Sequence, residues 1–297
     1  MPCHNRAMRL IIVTGLSGSG KSVAIRQLED SGYYCVDNLP AEFLSEVSSH
    51  LARTGHEQVA VAIDARSQVS FPDVPAMIQS LRDDGHDVRM LFLTASTTEL
   101  VQRFSETRRQ HPMSQKARST ASESTLIEAI EAERELLSPL VAVSHVIDTG
   151  GLQPNTLREW VRQAADAPRG ALTLAFESFA FKHGLPVAAD LVFDVRNLPN
   201  PYYDSELRPL TGRDAPVAHF LANQPEVGQM IDDIARFIAT WLPSYRAQNR
   251  HYLTVAIGCT GGQHRSVYVV EELARRLSHD ERVVIRHRII GRRGNDR

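Results

Sequence analysis

RLIIVTGLSGSGKSVAIRQLED, residues 9–30, joins an apolar run, a glycine-rich turn and a helical pattern without a break. The turn, Gly15-Leu16-Ser17-Gly18-Ser19-Gly20-Lys21-Ser22, fits G-x-x-x-x-G-K-S in the setting that motif requires, after a strand and at the start of a helix. Glycines let the backbone turn tightly and aim successive N–H groups at phosphate oxygens. The helix N-terminus adds its positive dipole end. Lys21 is expected to reach the outer phosphates as a catalytic cation, and the Ser22 hydroxyl to ligate Mg2+.

Outward from that loop the same grammar repeats. YYCVDN, QVAVAIDAR, DVRMLFLTA and HVIDTG are further short apolar runs, each separated from the next by an amphipathic stretch. Strands apolar on both faces and alternating with helices predict a doubly wound parallel sheet, so residues 8–168 read as a kinase-like P-loop NTPase domain of the α/β class. Pro168 and Gly170 interrupt the last helical pattern, and a fresh apolar run, LTLAFESFAF, follows. A second, smaller α/β domain is expected over 171–297, with strands at 172–179, 190–196, 252–258 and 282–290 and helices at 226–242 and 265–278.

The composition agrees with two packed domains. The chain has 297 residues, 42% apolar and 23% charged, enough apolar side chains for proper cores. A formal charge of −2 excludes a protein that coats a polyanion through overall charge. The three cysteines, Cys3, Cys35 and Cys259, have neither disulfide-framework nor zinc-site spacing, which fits a reducing cytoplasm. No apolar run reaches membrane-span length, so no membrane partner is expected. The leader MPCHNRA lacks a signal peptide's apolar core, and the functional chain is expected to start near Met8.

Other residues cluster around the expected phosphate site. Asp64 ends the strand QVAVAIDAR at the carboxyl edge of the sheet and is the candidate magnesium-side acid and second catalytic residue, against the plainer reading of an N-cap. Asp37, ending YYCVDN, either contacts a substrate or starts the next helix. In RFSETRRQHPM, Arg103, Arg108 and Arg109 are spaced as a lid clamping phosphates or, equally, as a solvated helix end. These features also suit an alternative function, a P-loop small-molecule kinase with its acceptor near Asp37.

A second anion loop stands in the C-terminal half. YLTVAIGCTGGQHRSVYVVEELARRL is again strand, turn and helix, with Cys259, Thr260, Gly261, Gly262, His264, Arg265 and Ser266 on the turn. Cys259 and Arg265 have the spacing of a cysteine-phosphatase loop, but Gly258 stands where that loop carries histidine, which favours phosphate binding over thiolate attack. His183, Lys182, Asp194 and Arg196 lie at strand ends or turns of the same domain and suit a phosphorylated, hydroxyl-rich metabolite. The tail RVVIRHRIIGRRGNDR carries Arg286, Arg288, Arg292 and Arg293 and, beside Arg275 and Arg276, reads as a basic patch for RNA or as a solvated end.

Taken together, GLSGSGKSVAIRQLEDSGYYCVDNLP, RFSETRRQHP, ESFAFKHGLP, FDVRNLPNPYYD, LRPLTG and YLTVAIGCTGGQHRSVY resemble the RNase adapter RapZ family, also described as YvcJ-like nucleotide-binding proteins. That resemblance implies ATP or GTP binding with Mg2+ and modest hydrolysis. It maps the nucleotide loop onto residues 15–22 and a second nucleotide motif, D-x-R-N, onto Asp64-Ala65-Arg66-Ser67, where Ser67 departs from asparagine. It further implies a cytoplasmic homo-oligomeric adapter that binds a small regulatory RNA, presents it to RNase E and senses a phosphorylated amino sugar such as glucosamine-6-phosphate. The sugar phosphate would sit on the loop from Cys259 to Ser266 and the RNA backbone along the basic tail.

Overall fold

A computed structural model describes residues 7–63, 71–108, 110–113, 123–168, 172–248 and 250–290. The chain divides into two compact units, Met1–Arg169 and Gly170–Arg297. In the first, the apolar runs form β1 (Arg9–Gly15), β2 (Tyr34–Leu39), β3 (Gln58–Ile63), β4 (Asp87–Thr94) and β5 (His145–Asp148), in a five-stranded sheet ordered β2-β3-β1-β4-β5. Every pairing is parallel. The expected doubly wound α/β architecture is therefore the observed one.

Strand β1 sits at the centre because both its faces are apolar. Leu10 and Ile12 join the core with Val59, Val61 and Met90, while Ile11 and Val13, equally buried, face the opposite side. Helices α1 (Lys21–Asp30) and α6 (Pro154–Ala165) pack on each other. Helices α2 (Leu44–Arg53), α3 (Val74–Asp83) and α5 (Glu123–Val141) contribute apolar stripes to the core around Leu10. Helix α4 (Thr97–Thr107) begins with a side-chain cap, the Ser96 hydroxyl accepting from the Glu99 N–H.

The carbonyl end of α6 is closed by a buried charge cluster. Arg89, only 4% exposed, donates to the carbonyls of Ala164 at 3.0 Å and Ala167 at 2.6 Å and to Asp87 at 2.9 Å. Arg9 adds bonds to Ala165 and to Asp87. Two guanidinium groups thus satisfy the orphan carbonyls of the helix's last turn and match its negative dipole end.

The second unit has a four-stranded parallel sheet of β6 (Thr173–Ala180), β7 (Leu191–Asp194), β8 (Tyr252–Cys259) and β9 (Arg282–His287), ordered β7-β8-β6-β9. Helices α7 (Ala215–Ala222), α8 (Pro225–Ala247) and α9 (Arg265–Leu277) complete it. Its core gathers Leu174, Phe176, Val217, Ile231, Ile238, Leu253, Val255, Ile257 and Val270. Several details differ from the sequence reading: β7 covers only Leu191–Asp194 of the expected 190–196, and β9 ends at His287 rather than at 290. Helix α7 forms between the expected strand 190–196 and the expected helix 226–242, where no element was expected, with Pro216 in its first turn, where a missing N–H is harmless. Helix α8 continues through Pro243 to Ala247 rather than stopping at 242.

Among the described residues no helix is long and apolar enough to cross a membrane. The Arg89 cluster yields a stability prediction. Arg89→Met leaves the Ala164 and Ala167 carbonyls without their donor and Asp87 with Arg9 as its remaining guanidinium partner, which costs about 3 kcal/mol. Calorimetry on the whole chain is expected to show the transition of the N-terminal unit lowered by about 10 °C, and an unchanged transition contradicts this role for Arg89.

Candidate functional site

The loop between β1 and α1 is shaped by contacts that only glycine allows. Gly15 has φ +130, and a Cβ there would lie 2.0 Å from the Leu93 carbonyl oxygen of β4. Gly20 has φ +105, with a Cβ position 2.8 Å from Leu157. The chain therefore turns tightly against its own sheet and presents its amides outward. Among the described residues, the N–H groups of Gly18, Gly20 and Ser22 have no protein acceptor, whereas Ser19 donates to the Leu16 carbonyl. Such amides at a helix N-terminus are the donor set that phosphate oxygens fill.

A cleft of about 670 Å³ opens over this loop. Residues 17–23 form its floor, Asp37, Asn38, Ala62 and Ile63 one wall, Arg103, Phe104, Glu106, Thr107, Gln110 and Pro112 another, and Thr149, Leu152, Pro154 and Leu157 the rim. Lys21 Nζ donates to the carbonyls of Gly15 at 2.7 Å and Leu16 at 3.2 Å, so the ammonium is folded onto the loop it serves. Ser22 lines the cleft at the first turn of α1, where its hydroxyl would hold Mg2+ alongside phosphate oxygens. Asp37 also lines it, from an irregular stretch where β2 shifts register on β3 and Asn38 takes φ 55.

The other sequence candidates fall in different places. Asp64, Ala65, Arg66, Ser67 and Arg109 lie outside the described residues. Arg103 is not a loose clamp. Its guanidinium donates to the Gly18 carbonyl at 3.0 Å and to the Thr149 hydroxyl and carbonyl at 3.0 and 2.7 Å, bridging the phosphate loop to the turn after β5. Arg108 ends α4 in a left-handed conformation and is exposed.

Glu133 and its partner His111 were missed by the sequence reading. Glu133 on α5 is fully buried behind the loop; its carboxylate accepts from the Ser17 N–H and hydroxyl, each at 2.8 Å, and from His111 at 3.1 Å. Burial alone would raise its pKa, but the His111 bond, the Lys21 charge and the two Ser17 donors hold it below the usual carboxylate range. The signal was available: Ile130, Glu133, Leu137 and Leu140 share one helical face, and an acid in an apolar stripe needs partners.

In the second unit the structure brings together the loop after β8, the end of β7 and the turn after β6. Cys259 is buried, its Sγ accepting from the Gly262 N–H at 3.2 Å and standing 3.2 Å from the Ser266 hydroxyl, so the sulfur shapes the turn. Gly258 is glycine because a Cβ there would come within 2.4 Å of Phe179 and 2.5 Å of Phe181; a phosphatase-type histidine does not fit. Arg265, expected to grip phosphate, directs Nη1 instead to the carbonyls of Arg196 at 2.6 Å and Leu198 at 3.0 Å, with Nη2 3.4 Å from the Thr260 hydroxyl.

Arg196 stacks 4.0 Å from the Phe181 ring centroid and pairs with Asp194 at 2.6 Å; that bond holds the Asp194 carboxyl below its usual range. Burial pushes the His264 imidazole downward. Thr260 and His183 are exposed, and Gly261 lies between Thr260 and the left-handed Gly262.

The basic tail is corrected. Arg286 is 2% exposed and lies opposite Glu177 in the β6–β9 register, so it does not face RNA. Arg288, with its side chain 11% exposed, donates to the buried Glu177 carboxylate at 2.9 Å. Arg275 and Arg276 pair with Glu272, and Arg276 also with Asp232. The acid hidden in LTLAFESFAF and those on α8 and α9 neutralise what the tail's composition made look basic. Arg292 and Arg293 lie outside the described residues.

A glycine-built phosphate cradle under a cleft, on a parallel sheet with a second α/β unit following, defines a two-domain P-loop nucleotide-binding protein. Residues 8–168 match the RapZ-like N-terminal domain and residues 172–291 the RapZ C-terminal domain, so the chain belongs to the RapZ family. It is 58% identical over 284 residues to a nucleotide-binding protein of Paraburkholderia xenovorans strain LB400, covering 95% of each chain. A nucleotide-binding protein of Burkholderia vietnamiensis strain G4 is 57% identical over 284 residues, covering 95% of this chain and 94% of the relative. Among solved structures, a shikimate kinase from Bacteroides thetaiotaomicron aligns at 13% identity and TM-score 0.36, over 54% of this chain and 100% of its own. A deoxyadenosine kinase from M. mycoides with bound dATP aligns at 14% identity and TM-score 0.34, over 53% and 100%.

Lys21→Ala removes the single lysine at the loop, a charged partner whose bonds to phosphate are worth about 1.5–3 kcal/mol. Calorimetric titration is expected to show nucleotide affinity reduced about tenfold to a hundredfold at an unchanged melting temperature of the free protein. Affinity equal to the parent protein's contradicts the assignment.

Proposed function

We propose that this RapZ-family protein is a regulatory adapter with weak ATPase and GTPase activity. Nucleotide occupies the first unit, and a phosphorylated amino sugar and an RNA are read by the second. The reading extends to an oligomeric, cytoplasmic protein that hands a small regulatory RNA to RNase E. The observation that carries it is the presence of two separate strand–turn–helix cradles, at residues 15–22 and 259–266, one in each unit. A simple phosphotransferase needs only the first.

For the sugar phosphate, the supporting feature is the meeting of Asp194, Arg196, Thr260 and the N-terminus of α9 in one place. Carboxylate, guanidinium, hydroxyl and helix dipole together suit an amine, hydroxyls and a phosphate. For RNA, the support moves from the tail to the stretch between β7 and α7. Tyr202 and Tyr203 are 52% and 83% exposed, and the Arg208 guanidinium stands 4.9 Å from the Tyr202 ring centroid. Exposed aromatic faces beside arginine are stacking platforms for unpaired bases.

Filter binding of a single-stranded RNA to the whole chain tests this reading. Tyr203→Ala is expected to weaken binding about tenfold, and Arg208→Ala to lower the salt slope by about one, with melting temperatures unchanged. Affinity indifferent to both changes and to charge reversal at Arg292 and Arg293 would rule out RNA recognition by these residues.

A further inference from the structure

The hydrogen bonds of Glu133 form a chain with two ends. At one end is Ser17, which gives both its N–H and its hydroxyl to the carboxylate, at 2.8 Å each, and so turns its donors away from the cleft. At the other is His111, 1% exposed, whose Nε2 lies 3.1 Å from the same carboxylate. The Met113 N–H donates to His111 Nδ1 at 3.3 Å, so Nδ1 carries the lone pair and Nε2 the proton. The histidine therefore donates to Glu133.

His111 belongs to the stretch that walls the cleft, since Gln110 and Pro112 on either side line it. A second contact runs the same way. The His111 ring lies 5.2 Å from Phe104, and Phe104 approaches within 3.4 Å of the Cβ position of Gly18.

We propose that His111 and Glu133 are positioning residues that latch the wall of the nucleotide cleft to the phosphate loop, so that phosphate on the loop and closure of the wall are one coupled equilibrium. Glu133 and His111 are 0% and 1% exposed, and Ser17, at the edge of the cleft, turns both its donors inward to the carboxylate, so no water replaces a broken bond there. Moving the wall away from the loop therefore strands a buried carboxylate or its donors, which is costly. Phosphates bound to the loop amides hold Ser17 still. Glu133 follows Ser17, and His111 follows Glu133. Linkage makes the effect mutual: whatever the nucleotide does to the wall, the wall does to nucleotide affinity.

The test compares two substitutions at one position. Gln at 111 places its amide nitrogen where Nε2 stands and keeps the bond to Glu133. Asn is shorter; it can still meet the Met113 N–H but falls short of the carboxylate. Trypsin cleavage after Arg108, exposed at the end of α4, reports opening of the wall. In the parent chain, saturating ATP with Mg2+, or GTP in a second arm, is expected to slow that cleavage about fivefold or more. His111→Gln keeps this protection. His111→Asn loses most of it and weakens nucleotide binding by a similar factor.

Full protection and affinity in His111→Asn would overturn the latch. So would equal loss in both variants, which signals damaged packing rather than a missing bond, or the absence of nucleotide protection in the parent chain. If His111→Asn does not fold, Glu133→Gln, which leaves one carbonyl for three donors, makes the same comparison against His111→Gln. The inference rests on nucleotide occupying the loop. Calorimetric titration of the parent chain reads that separately, so a failed latch and a failed site are distinguishable.

Discussion

The approach of Gly15 to the carbonyl of Leu93 is the constraint on which the nucleotide site depends. Pairing between β1 and β4 continues to this last residue, and the next amide, that of Leu16, still donates to Leu93 at 3.1 Å. No side chain larger than hydrogen fits, so the chain must leave the centre of the sheet as a tight loop. Lys21, Ser22 and the outward amides take their places from that exit. The apolar faces of β1 fix where the sheet's centre is, and Gly15 fixes how the chain departs from it.

The two cradles share a plan and differ in what stabilises them. In the first, free amides face the cleft, and the supporting carboxylate, Glu133, is hidden behind the loop. In the second, a cysteine sulfur and Arg265 organise the turn from within, and the guanidinium holds up the neighbouring stretch at Arg196 and Leu198. Both units bury carboxylates against donors brought from distant sequence: Asp87 against Arg9 and Glu133 against Ser17 and His111 in the first, Glu177 against Arg288 with Arg286 alongside in the second. A buried acid left without such partners would be severely destabilising. These clusters therefore fix which elements can pack together, not only how tightly.

Much of this was legible in the sequence. The runs of β1, β3 and β4 are bounded by turns and buried almost throughout, so local pattern and global fold agree there, and the glycine spacing from Gly15 to Gly20 carries its own mechanism. Pairings between distant side chains were not legible. A helical stripe of Ile130, Glu133, Leu137 and Leu140 shows that an acid is buried, but not that Ser17 and His111 meet it. The tail misled because counting arginines ignores which face of a strand each occupies: period-two alternation in RVVIRH puts Arg286 on the side of Val284, and only the register with β6 reveals Glu177 opposite it. Arg265 shows the same limit of spacing: two of its five donors go to the backbone carbonyls of Arg196 and Leu198, a use that the spacing of Cys259 and Arg265 does not reveal, while its buried Nε has no partner among the described residues.

A nucleotide loop that serves regulation, as proposed above, requires energetic coupling between nucleotide binding in the first unit and RNA binding in the second. The most direct measurement is the affinity of the whole chain for a single-stranded RNA with and without saturating ATP and Mg2+, set beside the nucleotide affinity with and without that RNA. A regulator predicts that both affinities change, and by the same factor, about fivefold or more. Two affinities that each ignore the other ligand would contradict it.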